Sequence, residues 1–192
     1  MPSRYVAMSD EAQSYEYKKI DEQIIASIRK PLKKRIELKE RFEKLREVCV
    51  DHICGPAIMI QHYDTNVEDG LDIEAGYPVK QDIETEEIKT RPLEALYALT
   101  VIYRGPYEKL GEAFRKLHEY RSTRGLPTGL SPREVYLMGP FMDDPEDNVT
   151  ELQATLHDWD VRFCGSLEEF LENEPRTEIL EGFGKNHTIY FC

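Results

Sequence analysis

Two stretches of this chain follow the same pattern, and this repetition limits the folds that the chain can adopt. Each stretch combines an apolar run, an Arg-x-Pro tripeptide and three apolar residues at helical spacing: Ile24–Ile28, Arg29–Pro31 and Leu38, Phe42 and Leu45 in the first, and Leu99–Ile102, Arg104–Pro106 and Leu110, Phe114 and Leu117 in the second. The tripeptides are offset by 75 and the helical positions by 72, a difference of about one helical turn. Self-similarity at a long period indicates a duplicated unit.

A short segment after each stretch extends the match and distinguishes the two copies chemically. Gln61-His62-Tyr63 aligns with Glu134-Val135-Tyr136 at an offset between those two values, so the second copy has a glutamate where the first has a glutamine. A duplicated unit builds a cleft on a pseudo-twofold axis. We therefore expect Glu134 to face this cleft and to be important for function.

The hydrophobic pattern predicts the element order β-α-β-β twice. This order predicts an α+β fold in which two helices lie against an antiparallel sheet, with a ligand cleft between the repeats. The predicted parts are an N-terminal arm over residues 1–14, repeat one over about 15–79, repeat two over about 88–157, and a C-terminal extension over 158–192 that packs on the domain.

Several elements are predicted in more detail. A strand is expected from Tyr15 through Ile28, and Pro31 suits the first turn of the next helix. The segment Leu71–Ala75 alternates with acidic residues, as is typical of a half-exposed strand. The remaining predictions are a charged connection Ile83–Arg91, the strands Leu93–Tyr103, Glu134–Met138 and Val149–Leu156, a short helix begun by the capping box Ser166–Glu169, and a terminal strand Thr188–Phe191.

Charge and hydropathy exclude several classes of protein. The 192 residues carry a net charge of −12 with a pI near 4.9, and direct nucleic-acid binding needs a basic surface. No apolar run reaches the roughly 20 residues of a membrane helix, and the N-terminus lacks the apolar core of a secretory signal. We therefore expect a cytoplasmic protein that binds neither nucleic acid nor membrane.

Neither the cysteines nor the basic stretch indicates a cofactor or phosphate site. Cys49, His52 and Cys54 lie close together, but the second ligand pair of a structural zinc site is missing. Residues 29–47 hold nine basic and four acidic residues. We interpret them as a solvated helix face with Glu–Lys and Glu–Arg pairs rather than as a phosphate-binding face. No metal or cofactor is predicted.

Two motifs in the second half carry a family resemblance. The segments Tyr103-Arg104-Gly105-Pro106-Tyr107 and Pro132-Arg133-Glu134-Val135-Tyr136 resemble the GyrI-like effector-binding domain, which is also the drug-sensing half of MerR-class and AraC-class bacterial activators. The resemblance covers about residues 15–157. It implies a cleft between two repeats in which aromatic rings surround a buried glutamate and lipophilic, often cationic, ligands bind. Because the first strand is expected to begin already at Tyr15, no helix-turn-helix is expected before it, and a direct activator role is not predicted.

The resemblance assigns ligand-binding roles to particular residues. Glu134 matches the ligand-facing glutamate, Tyr107 the aromatic residue at the helix start, and Tyr136 shares the sheet face of Glu134. Gln61 and Tyr63 are the corresponding pair in the first repeat, and Tyr103 is a further candidate. The alternatives are that Glu134 is a surface residue paired with Arg133 or a nearby lysine, and that the tyrosines only fill the core.

Three functions remain open at this stage. The first is a stand-alone protein that senses or sequesters lipophilic, cationic ligands, because a bound cation compensates a buried carboxylate. The second is a hydrolase of strained lipophilic electrophiles, in which Glu134 orients or deprotonates a water and Tyr107 donates a hydrogen bond to the leaving group. The third is a protein-binding module like the gyrase-inhibitor relatives of this fold. A protein partner or a homodimer is compatible with each of them.

Overall fold

The computed structural model describes residues 14–63, 70–123, 126, 129, 131–139 and 144–156, together with the backbone of 176–178 and 189–191. The regular elements are, in chain order, β1 (Tyr15–Ile20), β2 (Gln23–Leu32), α1 (Arg35–Cys49), β3 (Ala57–His62), β4 (Leu71–Pro78), β5 (Lys89–Leu93), β6 (Leu96–Arg104), α2 (Leu110–Thr123), β7 (Arg133–Met138), β8 (Val149–Thr155), β9 (Arg176–Glu178) and β10 (Ile189–Phe191). One-turn 3-10 helices lie at Tyr107–Lys109 and Pro145–Asp147. The α+β fold predicted from the sequence is confirmed.

Strands β1 to β8 form one antiparallel sheet, in the order β1-β6-β8-β7-β3-β4-β2-β5. The middle of the sheet is the pair β3–β7, in which Met59 lies opposite Glu134 and Ala57 lies opposite Tyr136. The predicted terminal strand appears as β10, which pairs with β9 in a separate two-stranded sheet.

Both helices lie on the same face of the eight-stranded sheet. Helix α1 packs mainly against β2 and β4, with Phe42 and Leu45 buried, while α2 packs mainly against β6 and β8. Of the apolar stripe predicted for α2, Leu110 and Leu117 are buried and Phe114 is partly buried. Because each helix covers the outer strands of its own half, the central strands β3 and β7 carry a groove between the helices.

The opposite face of the sheet is also buried, which the sequence pattern did not predict. Its apolar part is one cluster: Ile25, Ile58, Ile60, Leu93 and Val135. On β4, where a half-exposed strand was expected, Asp72 is 8% exposed and Glu74 is 1% exposed. The expectation was wrong because alternating charged and apolar residues usually indicate a strand with one face in water. Here the charged residues are buried, and arginines pair with them.

Three other local expectations need correction. The chain breaks after Ile20, so that β1 pairs with β6 while β2 pairs with β4 and β5. Pro31 lies within β2, opposite Asp72 and one residue before the strand ends, instead of opening α1, and β5 begins at Lys89, within the predicted connection. The capping box at residues 166–169 lies outside the described residues. Within the described part of the chain, no helix has the length and apolar character needed to cross a membrane.

Candidate functional site

The first motif builds a turn that places the Tyr107 ring. Gly105 adopts φ +127°, a conformation that side chains disfavour, and its N–H donates to the carbonyl of Asn148 at 3.0 Å. The Tyr103 hydroxyl closes the turn by donating to the Pro106 carbonyl at 3.0 Å. Pro106 then caps the 3-10 helix that begins with Tyr107 and leads into α2. Tyr103 is therefore a structural part of the turn.

The second motif places a carboxylate and a hydroxyl side by side on β7. Glu134 and Tyr136 face the helices because alternate residues of a strand share a face, and they are 6% and 3% exposed. The Tyr136 hydroxyl donates to Glu134 Oε2 at 2.5 Å, within the range of charge-assisted O–H···O⁻ bonds. Glu134 is thus not a surface residue, and Arg133 lies on the opposite face of the sheet.

Aromatic rings surround this pair. The Tyr107 ring lies edge-to-face on Tyr136 with centroids 5.4 Å apart, and Phe42 approaches Tyr136 from α1 in the same manner at 5.5 Å. Such pairs stabilise the folded state by about 0.5–1.5 kcal/mol in addition to the contribution of the apolar area that they bury. The Tyr136 ring is therefore fixed between the two halves of the fold.

Arg35, the first residue of α1, completes the site. Its Nη2 lies 3.7 Å from Glu134 Oε2, and its guanidinium carbon lies 5.3 Å from the centroid of the Tyr107 ring. The second distance falls within the usual limit of about 6 Å for a cation–π contact. Arg35 therefore interacts with both the carboxylate and an aromatic face.

Burial dominates the electrostatics of the site. It raises the pKa of Glu134 above its ordinary value, although the hydrogen bond from Tyr136 and the charge of Arg35 oppose this effect. Burial and the charge of Glu134 raise the pKa of Tyr107 to about 12, against the influence of Arg35. The pKa of Tyr136 is raised well above its ordinary value for the same reasons. The site therefore contains a carboxyl group that is costly to ionise and two tyrosines that remain protonated at neutral pH.

Two cavities meet at this cluster. The larger cavity, with a volume of about 470 Å³, lies over the central strands between the helices. Residues of β3, β7 and both helices line it, among them Lys34, Arg35, Leu38, Met59, Gln61, Leu110, Phe114, His118 and Glu134. We call it the central cleft. The smaller, about 270 Å³, is lined by Tyr107 and Tyr136 together with the first two turns of α1, and it shares Arg35 and Leu38 with the central cleft. We call it the side cavity. The volume of the central cleft falls in the range of small-molecule sites.

The structure brings together five of the six residues predicted for the site. Glu134, Gln61 and Tyr63 line the central cleft, where Tyr63 is 57% exposed at the rim. Tyr107 and Tyr136 line the side cavity. Tyr103 lines neither of them and packs instead with the core under α2.

Arg35 was missed by the sequence analysis, which assigned the basic stretch to a solvated face. A signal was nevertheless present. The offset of 72 that aligns Leu38 with Leu110 also aligns Arg35 with Tyr107, so a guanidinium and a ring stand at corresponding positions before the two apolar stripes. The residue types differ, and only the structure shows that the two side chains are in contact.

The cysteine and histidine cluster does not converge on a common point. Cys49 is buried in the core under α1 and Cys54 is exposed. His52 Nε2 lies 3.0 Å from Gln81 Nε2. Among the described residues, no group of three histidine, cysteine, aspartate or glutamate side chains is arranged to hold a metal ion.

Comparison with known proteins identifies the family. The structure defines an α+β domain with a cleft over its central strands. Residues 13–156 match the GyrI-like small molecule binding domain, and the chain belongs to this family. No curated protein matches the sequence.

Solved structures share the fold at low identity. The C-terminal domain of EcmrR is 23% identical with a TM-score of 0.66, covering 77% of this chain and 99% of that one. In a complex of EcmrR with DNA, the match covers 57% of the EcmrR chain. A hydrolase from Listeria innocua is 12% identical with a TM-score of 0.52, covering 74% of this chain and 92% of that one. SAV2435 bound to tetraphenylphosphonium is 10% identical with a TM-score of 0.50, covering 77% and 96%.

The raised pKa of Glu134 predicts a specific dependence of stability on pH. Because the folded state holds the proton more tightly than the unfolded state, the free energy of unfolding falls as pH rises from the ordinary carboxyl pKa through the raised one. Glu134→Gln removes this decline, so the free energy of unfolding of the variant increases relative to that of the wild type as pH rises. Urea unfolding of both proteins between pH 4 and pH 8 measures the difference, and a difference that stays constant with pH contradicts the prediction.

Proposed function

We propose that this protein binds small lipophilic molecules with a positive charge in the central cleft, and that Glu134 recognises the charge. The observation that carries the proposal is the burial of the Glu134 carboxyl, which is 6% exposed on a central strand. Ionising a buried carboxyl without a full partner costs several kcal/mol. A cationic ligand supplies the missing partner and thereby converts this cost into affinity.

The existing partners of Glu134 leave room for such a ligand. Tyr136 satisfies Oε2, while Arg35 approaches the same oxygen only to 3.7 Å. On the other wall of the cleft, burial and nearby Arg121 lower the pKa of His118, so that this histidine is uncharged at neutral pH. Lys33 and Lys34 are exposed at the cleft mouth, where water screens their charge. The carboxylate is therefore the deeply buried charge of the cleft.

The apolar lining suits a lipophilic ligand. Leu38, Met59, Leu110 and Phe114 line the central cleft, and the Tyr107 and Tyr136 rings border the adjoining side cavity. Aromatic faces attract organic cations by about 0.5–2 kcal/mol each. SAV2435, which shares the fold, was solved with tetraphenylphosphonium, a lipophilic cation, and this supports the choice of ligand class.

We further propose that the cleft lies at the junction of a duplicated unit. Outward from the β3–β7 pair, the strand order is β3-β4-β2-β5 on one side and β7-β8-β6-β1 on the other. Helix α1 connects β2 to β3, just as α2 connects β6 to β7. This correspondence supports a duplication in which Gln61 and Glu134, which both line the cleft, occupy equivalent positions.

A calorimetric titration with tetraphenylphosphonium tests the proposed function. We expect saturable binding by the wild type and at least tenfold weaker binding by Glu134→Gln, equivalent to about 1.4 kcal/mol. The physical reason is that the amide keeps the size of the side chain and loses its charge. The ligand is recovered after each titration and its chemical integrity is checked.

Glu151→Gln is the matched control, since Glu151 is 8% exposed but lies on the opposite face of the sheet, paired with Lys18 at 2.7 Å. The affinity of the Glu151→Gln variant for tetraphenylphosphonium is expected to equal that of the wild type. If the wild type does not bind, or if both variants weaken binding equally, the assignment of Glu134 fails. A protein-binding module then becomes the leading hypothesis.

A hydrolase that uses the same glutamate is the second candidate. Burial shifts the pKa of Glu134 upward, which is the direction that a carboxyl needs to act as a general acid or base, and a hydrolase from Listeria innocua shares the fold. The Tyr107 hydroxyl, the proposed donor to the leaving group, is buried and has no hydrogen-bond partner among the described residues. Turnover of a lipophilic electrophile that is lost in both Glu134→Gln and Tyr107→Phe would favour this function over binding alone.

A further inference from the structure

Arg35 lies where the central cleft and the side cavity meet. It is the first residue of α1, its side chain is half exposed, and it lines both cavities. From this position the guanidinium contacts Glu134 on one side and the Tyr107 ring on the other. A carboxylate and an aromatic face are the two kinds of group that attract an organic cation, and here one belongs to the central cleft and the other to the side cavity.

The contacts of Arg35 are loose compared with those of another arginine on the same helix. Arg41 is 9% exposed, and its guanidinium donates to three backbone carbonyls at 2.6–3.0 Å: those of Lys30, Pro31 and Ile73. For Arg35 the distance of 3.7 Å to Glu134 exceeds that of a hydrogen bond. Among the described residues we find no closer acceptor for its guanidinium. Arg41 is fixed to the fold, whereas Arg35 can leave its place by rotating about its side-chain bonds.

We propose that Arg35 is a tethered competitor, a cation of the protein itself that occupies the Glu134 and Tyr107 pair when no ligand is bound and swings aside when an organic cation enters. This inference rests on the proposed function and deepens it, because it sets which cations bind. A ligand must replace both contacts of the guanidinium, so it needs aromatic or other apolar area in addition to charge. Small ammonium ions, which offer only charge, are excluded.

The geometry also explains how the protein tolerates Glu134 without a ligand. A buried carboxylate with no nearby cation is strongly destabilising, and the guanidinium provides partial compensation while remaining in contact with water. Because the compensation is partial, a ligand that sits deeper in the cleft can still gain from the same carboxylate. Arg35 therefore stabilises the unliganded state and weakens the apparent binding of any cationic ligand that must displace it.

The test compares Arg35→Gln with the wild type in titrations with tetraphenylphosphonium. Removing the competitor is expected to tighten binding at least tenfold. Lys34→Gln is the matched control, because Lys34 is the adjacent exposed cation that lines the same cleft. It removes the same charge without freeing Glu134, and its affinity should change less than threefold. Tetraphenylborate, which has the same shape and the opposite charge, should not bind Arg35→Gln more tightly than the wild type.

A double-mutant cycle separates competition from general electrostatics. With Glu134→Gln in place, Arg35→Gln should change the affinity for tetraphenylphosphonium less than threefold, because no carboxylate remains to compete for. Circular dichroism of each variant verifies the fold, which an exposed residue at a helix start should not disturb.

The outcomes distinguish the two proposals. If the wild type binds tetraphenylphosphonium in a manner that depends on Glu134, but Arg35→Gln binds no more tightly than Lys34→Gln, the inference on Arg35 is overturned and the proposed function stands. If neither the wild type nor Arg35→Gln binds the cation, the proposed function fails and the inference fails with it. Tighter binding by Arg35→Gln alone supports both.

Discussion

Glu74→Gln is expected to lower the free energy of unfolding by about 3 kcal/mol at neutral pH, since breaking a buried ion pair typically costs about 3–5 kcal/mol. We choose the lower end because the Arg91 side chain is 38% exposed. The Glu74 carboxylate accepts hydrogen bonds from Ser27 at 2.6 Å and from the Arg91 guanidinium at 2.5 and 2.8 Å, and it lies 2.8 Å from His62 Nε2. Chemical unfolding at pH 7 measures the loss.

Glu74 also offsets the charge of Arg133, a buried cation on the same face of the sheet. Arg133 is 6% exposed, and burial together with repulsion from Arg91 lowers its pKa to about 10, while the charge of Glu74 acts in the opposite direction. Removing the carboxylate therefore leaves two arginines without their common counter-charge. An amide of the same size cannot supply it.

The same cluster predicts how the protein responds to acid. Burial alone would raise the pKa of Glu74, but the hydrogen bonds from His62, Arg91 and Ser27 and the charge of Arg91 hold that pKa well below its usual range. The stability that Glu74 contributes is complete above the ordinary carboxyl pKa and is lost as pH falls toward the lowered one. The difference between the wild type and Glu74→Gln should therefore shrink below about pH 4, the ordinary carboxyl pKa.

Glu43→Gln is the control for this experiment. Glu43 forms an exposed pair with Lys39 one helical turn away, at 3.8 Å, and such pairs contribute less than about 1 kcal/mol. If Glu74→Gln costs no more than Glu43→Gln at pH 7, or if its cost does not shrink on acidification, the role assigned to Glu74 is wrong.

Phe42→Ala is expected to lower the free energy of unfolding by about 4 kcal/mol, as is usual for a truncated buried aromatic side chain. Phe42 is 1% exposed and packs edge-to-face against Tyr77 at 5.8 Å and Tyr136 at 5.5 Å. Removing the Phe42 ring opens a cavity in the core and removes the packing contact that helps to fix the Tyr136 ring. Thermal and urea unfolding measure the loss.

Phe42→Leu and Ile36→Ala are the comparison variants. Leucine refills much of the space and should lower the stability less than alanine, whereas Ile36 is 57% exposed on the same helix and its truncation should cost little. If Phe42→Ala lowers the free energy of unfolding no more than Ile36→Ala does, the prediction is wrong. The core under α1 would then have rearranged to fill the space that the ring occupied.

Much of this protein could be predicted from local pattern. The stripe of Leu110, Phe114 and Leu117 predicted α2, and the predicted strands Glu134–Met138 and Val149–Leu156 correspond closely to β7 and β8. The two motifs around Gly105 and Glu134 identified the family, which the match over residues 13–156 confirms. These features depend on residues close in sequence, whose spacing determines which side chains share a face.

The sites at which prediction failed are those where distant segments meet. The break after Ile20 follows from the pairing of β1 with β6, a strand of the second half of the chain, and the charged residues of β4 are buried because arginines of β2 and β5 pair with them. Arg35 belongs to the site only because α1 begins beside Glu134 and Tyr107.

Local spacing and short motifs were enough to predict the α+β class, the two helices and the family, and they singled out Glu134 as the candidate ligand-binding residue. The burial of Glu134 beside Tyr136, the approach of Arg35 to it and the role of Glu74 as counter-charge on the opposite face became apparent from the folded chain alone. The physical reason is that burial and charge pairing are set by which strands and helices become neighbours, and this depends on contacts between residues far apart in the chain.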